Sequence, residues 1–393
     1  EIGISPRKIQ EVNLLSENDE FSYGQIATKA EARSSWDSAK KSFDLEKLEQ
    51  EVNDFNNNNN AFKKGLSLMP ITFGISFTNT PMNHARALVH IYQDGSVGIS
   101  TAAVEMGQGV NTKMLQIAAQ VFSIDNKKVK IETTNTTRVA NTSPSAASST
   151  ADLNVNAVLK ACNILLERLK EVIAEEHKVE KYSIEIIEEV VYINNKKIDL
   201  TWNELVGKAM LERVALSENA HYATPIIHFD KITEKGHPFA YHVYGTAITI
   251  TTIDCMRGTY EFDAVKIVHD YGNSMSSGID LGQVEGALVQ GIGWMTMEEI
   301  AYANDGRLLS NALSTYKVPD IFSVPKTIEV IPLETDGNDM AILKSKAVGE
   351  PPLMYGFGAY FALQNAIKAF NSNYKFKFHA PMTPEKVLIG LYE

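Results

Sequence analysis

Val348-Gly349-Glu350-Pro351-Pro352 sets one carboxylate between a glycine and two prolines. The prolines fix φ and remove two backbone donors, which leaves the chain at Glu350 little freedom. A following proline also disfavours the α region, which predicts that Glu350 stands just outside the next element. That element reads as a helix from Leu353 to about Phe370, with proline at its start. A carboxyl aimed from a helix mouth suits a general base. On these residues alone, an acidic first turn that complements the helix dipole is the commoner arrangement. The choice between the two falls to the rest of the chain.

Working back from Glu350, Leu281–Glu299 reads as a helix with Gly286, Gly291 and Gly293 inside it. Interior glycine costs about 1 kcal/mol against alanine, so tight packing on this helix is expected, with Gln290 presenting its amide to a buried ligand. Residues 240–254 and 260–270 alternate as strands, and residues 182–198 form a hairpin around Asn194-Asn195. His242 and His269 have no spaced partner and read as structural.

Upstream of these lies Asn141-Thr142-Ser143-Pro144-Ser145-Ala146-Ala147-Ser148-Ser149-Thr150-Ala151-Asp152, a run of small and hydroxyl residues. A long helix follows, with Val158, Cys162, Leu165, Leu169 and Val172 as its buried stripe. Small side chains let a ligand touch the backbone, and hydroxyls with helix N–H groups suit a phosphate or pterin. A serine-rich loop with a good N-cap explains one serine but not the run. Earlier still, a hairpin (87–92 and 97–101) runs into Val104-Glu105-Met106-Gly107-Gln108-Gly109, and Val110, Met114, Ile117 and Val121 start an amphipathic helix. The turn is either a docking place for an acceptor-rich ligand or simply a tight turn needing glycine. Ile71–Thr78 reads as a strand. Before it, residues 6–15 and 36–55 read as helices, and Asn56–Asn60 as a loop tip.

The composition of the 393 residues is ordinary: 44% apolar, 22% charged, with ample core. A net charge of −11 argues against nucleic acid or an anionic membrane as partner. The two cysteines, Cys162 and Cys255, are too few for an all-cysteine zinc or iron–sulfur site. No apolar run reaches membrane-span length, and the cytoplasm is the expected compartment. The chain opens at Glu1 and its first methionine is Met69, so it is expected to be the back part of a longer protein.

Taken together and in this order, Glu105–Gly109, Asn141–Ser148, Glu285-Gly286-Ala287-Leu288-Val289-Gln290-Gly291 and Val348–Pro352 resemble the molybdopterin-binding part of the xanthine dehydrogenase, xanthine oxidase and aldehyde oxidase family. The resemblance runs from Leu66 to the end of the chain. It implies hydroxylation of an electron-poor carbon, a purine such as hypoxanthine or xanthine above all, with water as the oxygen source. Glu350 would be the base that deprotonates a molybdenum-bound hydroxide, with hydride passing to a sulfido ligand. Met106, Gly107 and Gln108 would contact the pterin, and Ala147, Ser148, Ser149 and Thr150 would lay their backbone along cofactor and metal, Ala147 closest to molybdenum. Gln290 would be another cofactor contact, Phe77 would stack on substrate and Thr78 would touch it.

Iron–sulfur clusters and FAD would lie on other segments or subunits, and the complete enzyme would be a homodimer. The family's earlier half, with the rest of the pocket, is absent from this chain. The chain by itself is therefore expected to hold half a site and no molybdenum. The alternatives are a half-module inactive alone that completes a site with the upstream half, or a relative acting on aldehydes or other N-heterocycles. The expected fold is α+β, with mixed and antiparallel sheets and packed helices in two interleaved lobes. The divisions are a helical segment over 1–66, a first molybdopterin-binding lobe over 67–180 and a second over 181–393.

Overall fold

The computed structural model describes residues 3–393; residues 1 and 2 of the expected N-terminal helical segment lie outside it. The helices are α1 (Pro6–Val12), α2 (Ala32–Ser42), α3 (Leu45–Asn58), α4 (Val110–Phe122), α5 (Thr150–His177), α6 (Trp202–Leu211), α7 (Ser277–Thr296), α8 (Phe357–Phe370) and α9 (Pro384–Tyr392). The strands are β1 (Phe62–Ile75), β2 (His84–Ile91), β3 (Val97–Thr101), β4 (Val129–Ile131), β5 (Ile184–Ile187), β6 (Val190–Ile193) and β7 (Lys196–Thr201). They continue with β8 (Ser217–Ala223), β9 (His228–Asp230), β10 (Lys235–His237), β11 (Tyr241–Asp254), β12 (Tyr260–His269) and β13 (Ile328–Pro332). Both parallel and antiparallel pairings occur: β12–β13 and β3–β4 are parallel, whereas β11–β12 and β2–β8 are antiparallel. The fold is the expected α+β class.

Two compact units divide the chain. One takes the chain up to Gly74, Tyr241–Asn338 and Lys344–Glu393; the other takes Ile75–Ala240 and Asp339–Leu343. The sequence reading put its divisions at 67 and 181. The units divide at 75 and 241 instead, because β1 runs unbroken from Phe62 to Ile75 and β8, beyond residue 181, pairs with β2.

The first unit is built on a sheet of order β1-β11-β12-β13. β11 is central and buried along nearly its whole length rather than alternating. A strand covered on both faces needs no polar side, and two of its buried threonines have partners inside. Thr246 Oγ1 lies 3.1 Å from Ser35 Oγ of α2, and Thr251 donates to the Glu261 carbonyl at 2.8 Å. One cluster under the sheet joins Val265 and Ile267 to Val284, Leu288, Leu363 and Ile367 of α7 and α8. Each such side chain stabilises the unit by roughly 1.5–3 kcal/mol. A second cluster packs Trp36 and Ala39 of α2 on Ile248 and Val268.

Several expectations need correction here. The single helix over 36–55 is two helices. Asp44 takes the left-handed conformation (φ 49°) and caps α3 by accepting from the Lys47 N–H, which breaks the run. The asparagine run is not a loop tip, since α3 continues to Asn58. Lys63 holds that end by donating to the carbonyls of Asn56 and Asn59, both at 2.6 Å, and a cation there complements the helix dipole. The helix expected from Leu353 starts as a 3-10 segment, Pro351–Gly356, before α8 proper. Glu350 itself sits at φ −97°, ψ −39°, inside the α region that a following proline disfavours.

The cause of that placement is a close crossing. A Cβ on Gly291 of α7 would lie 2.2 Å from the Leu353 carbonyl oxygen, and one on Gly356 would lie 2.2 Å from Gly291 C. Only bare backbone fits on either side. Tyr355, fully buried, donates or accepts at 2.7 Å with His269 Nδ1, and its hydroxyl fills the space a Cβ on Gly245 would need. Gly286, on the same helix, has nothing within 4 Å. Gly291→Ala is therefore expected to destabilise the fold by about 1–3 kcal/mol, whereas Gly286→Ala adds up to about 1 kcal/mol. Denaturant midpoints of the two variants check this; equal midpoints would contradict the crossing.

Candidate cofactor-binding site

The second unit carries three of the sequence-picked segments, and hydroxyl groups stitch them together. Ser145 Oγ accepts from the Val104 N–H at 2.8 Å, which ties the serine-rich run to the glycine turn. Ser143 Oγ donates to the Met82 carbonyl, which ties the same run to the loop after β1. That loop carries Phe77 and Thr78, which lie beyond the strand expected to hold them: β1 ends at Ile75 and Ser76 turns out at φ 148°. Asn83, only 2% exposed, clasps the loop. Its Oδ1 accepts from Phe77 N–H at 2.8 Å, and its amide donates to the carbonyls of Phe77 (2.8 Å) and Thr80 (3.1 Å). Phe77 is half-buried and Thr78 exposed.

The turn before α4 is closed by its own residues. The Glu105 carboxylate accepts from Gly107 (2.9 Å), Gly109 (2.9 Å) and Asn111 (3.0 Å). Partial burial opposes its charge, but the N–H groups of Asn111, Gly109, Gly107 and Gln108 outweigh that and hold the carboxyl below its usual range. Gln108 is engaged as well, with Oε1 accepting from Met106 N–H at 2.6 Å and Nε2 donating to the Val104 carbonyl at 2.7 Å. Gly107 (φ 102°) and Gly109 (φ 77°) supply the positive φ values the turn needs. Met106, 68% exposed, stands out from it.

The mouth of α5 differs. Ser149 at the N-cap of this 28-residue helix makes no side-chain cap, and the buried acid of the first turn, Asp152, accepts from the Ile342 N–H at 3.1 Å. Just before it, Ala147 (φ 54°) and Ser148 (φ 52°) are consecutive left-handed residues without glycine. Each such residue costs roughly 1–2 kcal/mol, and this kind of strain gathers at ligand clamps. Ser149 and Thr150 are buried, and Ala147 and Ser148 half-buried.

In the first unit, Glu350 and Gln290 are both exposed. They belong to neighbouring segments, because Gly291 is the residue on which the Pro351–Gly356 turn rests. His242 and His269 are structural, as expected. His242 stacks on Phe21 at 4.4 Å, and complete burial, with the Lys346 charge, pushes His269 down to about 3. Among the described residues no group of three or more His, Cys, Asp or Glu is placed to hold a metal, and no helix is long and apolar enough to cross a membrane. The stitched loops bring a helix start without a side-chain cap, strained backbone and small side chains together in one unit. Sequence reasoning missed Ser143, Ser145, Asn83 and the closing role of Glu105; the acid two residues ahead of Gly107-Gln108-Gly109 was the one available signal.

The family model for the molybdopterin cofactor-binding domain matches residues 38–325. The chain is 37% identical over 392 residues to the xanthine dehydrogenase/oxidase of Mus musculus, and 37% identical over 398 residues to the xanthine dehydrogenase of Oryza sativa subsp. japonica. Each match covers 98% of this chain and 28% of the relative, so the chain spans just over a quarter of their length. Among solved structures, quinoline 2-oxidoreductase from Pseudomonas putida 86 superposes with a TM-score of 0.86 at 21% identity, over 100% of this chain and 50% of that one. Aldehyde oxidoreductase from Desulfovibrio gigas gives 0.79 at 21% identity, over 100% of this chain and 39% of that one.

Glu105→Gln keeps an acceptor but loses the charge that gathers the backbone donors. Its expected cost at pH 7 is about 1 kcal/mol, the scale of a helix cap at an exposed position. Because the folded-state carboxyl is held low, this contribution is present above the ordinary carboxylate value and is lost as pH falls through the folded value. Denaturation of both proteins should show the gap at pH 7 and its progressive closure as pH falls below the ordinary carboxylate range; a gap constant with pH would contradict the assignment.

Proposed function

The chain belongs to the molybdopterin cofactor-binding domains of the xanthine oxidase family, and from that premise we propose that it is the back portion of a molybdenum hydroxylase acting on a purine. The observation that carries the reading is the stitching of three loops by Ser143, Ser145 and Asn83 within one unit. When bound, the cofactor supplies a two-electron oxidation whose inserted oxygen comes from water. Met106, Gly107 and Gln108 would line the pterin edge as a preformed turn, since the Met106 and Gly107 N–H groups and the Gln108 amide are already engaged within it. Ala147, Ser148, Ser149 and Thr150 would present backbone to it at the start of α5, Ala147 nearest the metal. Gln290 would be a further cofactor contact by the same resemblance. Phe77 stacks on the flat heterocycle and Thr78 bonds to it, which suits an aromatic ring held by its backbone clasp.

Glu350 is the general base. It accepts the proton released as the water-derived oxygen is delivered to an electron-poor ring carbon. Iron–sulfur clusters and FAD on other segments would accept the electron pair. The upstream half of the domain completes the pocket, so the chain alone neither keeps molybdenum nor turns over substrate. The assembled enzyme is a cytoplasmic homodimer. Purine is preferred because relatives named xanthine dehydrogenase reach 37% identity over 98% of this chain.

Two measurements test this. Purified chain, with and without an upstream half, is assayed for molybdenum and for dye reduction by hypoxanthine. Metal and activity are expected only from the pair, and turnover by the chain alone would sink the reading. In the complete enzyme, Glu350→Gln is expected to keep its molybdenum and lose at least ~10²-fold in kcat; a near-normal rate would remove Glu350 from the mechanism.

A further inference from the structure

The exposed acid at 350 leaves the core through a segment whose last buried charge is Lys346. The Lys346 and Asp270 side chains are 1% and 0% exposed and form an ion pair. Lys346 Nζ also donates to the His242 carbonyl at 3.1 Å and lies 5.6 Å from the centre of the Tyr244 ring. The other Asp270 oxygen accepts from Gly272 N–H at 3.1 Å and from Thr335 Oγ1 at 3.0 Å. The backbone is fixed at the same place. Lys346 N–H donates to the Tyr271 carbonyl at 2.8 Å, Ser345 bridges Gly272, and Ala347 N–H donates to the Tyr241 hydroxyl at 3.0 Å. Val348 is 5% exposed and the chain then emerges at Gly349. On the far side, Pro351 and Pro352 are buried and Gly356 sits on Gly291.

Two fixed points thus bracket Glu350. The downstream one is made of shape alone. The upstream one contains a pair of charges taken out of water, for which apolar packing of the same volume would serve stability equally well. A buried pair that stability does not require is available to specify geometry. We propose that Lys346, through its ion pair with Asp270, is a positioning residue for Glu350. The proposal rests on the reading of Glu350 as the base. The pair fixes where the segment 344–348 ends and therefore where the carboxylate starts, and a displacement of about 1 Å at a reacting group is enough to lower a rate ~10²-fold.

The test uses the complete enzyme with its cofactor. Four variants are compared: Lys346→Met, Lys346→Arg, the double variant Lys346→Met/Asp270→Leu, and Glu350→Gln. Molybdenum content, thermal midpoint, kcat and KM are measured for each, and the double variant is crystallised. The double variant is expected to fold with a midpoint near wild type and molybdenum within twofold. Its kcat should fall at least ~10-fold with KM within about threefold, and residues 349–350 should shift by about 1 Å. Lys346→Arg, which keeps the pair, should recover kcat to within about threefold. A double variant with wild-type kcat, or with residues 349–350 unmoved, would overturn the proposal and leave the pair a stability element only. If Lys346→Met does not accumulate, the double variant and the arginine variant decide the matter. Near-normal turnover by Glu350→Gln would instead overturn the reading of Glu350, so the two failures are separable.

Discussion

The missing side chains at Gly291 and Gly356 are the constraint on which the Glu350-bearing segment depends. Backbone meets backbone there, with the carbonyl of Leu353 where a Cβ would otherwise stand. Because neither side can shift without a clash, the Pro351–Gly356 turn has one seat on α7. The two prolines then cannot relax by rotating φ, and Tyr355 locks the turn from beneath through His269. Glu350 is left in a conformation that its following proline disfavours because both neighbours are already fixed. The interior glycines of α7, costly to helix stability on their own, are explained at Gly291 by this contact and at Gly293 by Pro319. Gly286 has no such explanation in this chain.

The second unit solves a different problem, holding three irregular segments without regular secondary structure. It does so with short polar side chains that bond to backbone. Ser143 and Ser145 bond to neighbouring loops, Asn83 satisfies both backbone groups of Phe77, and the Glu105 carboxylate gathers the N–H groups of Gly107, Gly109 and Asn111. The effect is a division of labour between two helix starts. At α4 the Glu105 carboxylate gathers donors of the turn; at α5 the N-cap serine makes no side-chain cap, and the first-turn acid Asp152 accepts from Ile342 N–H. The left-handed pair Ala147-Ser148 stands at that second start. Strain is tolerated where the surrounding bonds over-determine the backbone, and the serine stitches are such bonds.

Much of this was legible in the sequence where one residue pattern had one physical meaning. The stripe Val158, Cys162, Leu165, Leu169 and Val172 is buried as its spacing requires. Asn194-Asn195 turns with both φ values positive, at 50° and 60°. The two glycine-bearing motifs also marked real turns. Legibility failed where tertiary context decides. Asp44 breaks a helix that periodicity would continue, β11 is buried on both faces by helices that no local pattern announces, and β1 extends nine residues upstream of where its β-rich core begins. The hydroxyl run was read correctly as unusual and incorrectly as wholly ligand-facing, because a serine that binds a ligand and one that binds a distant loop look alike in one dimension. Lys346 and Asp270, 76 residues apart, gave no sign of each other.

The claim underneath the account is that the loops joined by Ser143 and Ser145 form a seat for a metal-bearing pterin. Anomalous diffraction at the molybdenum edge, from crystals of the complete cofactor-loaded enzyme, tests it most directly. The account predicts a single strong peak beside the backbone of Ala147, with pterin density running along Ser148–Thr150 and the Met106–Gln108 turn. A peak remote from both loops would contradict it.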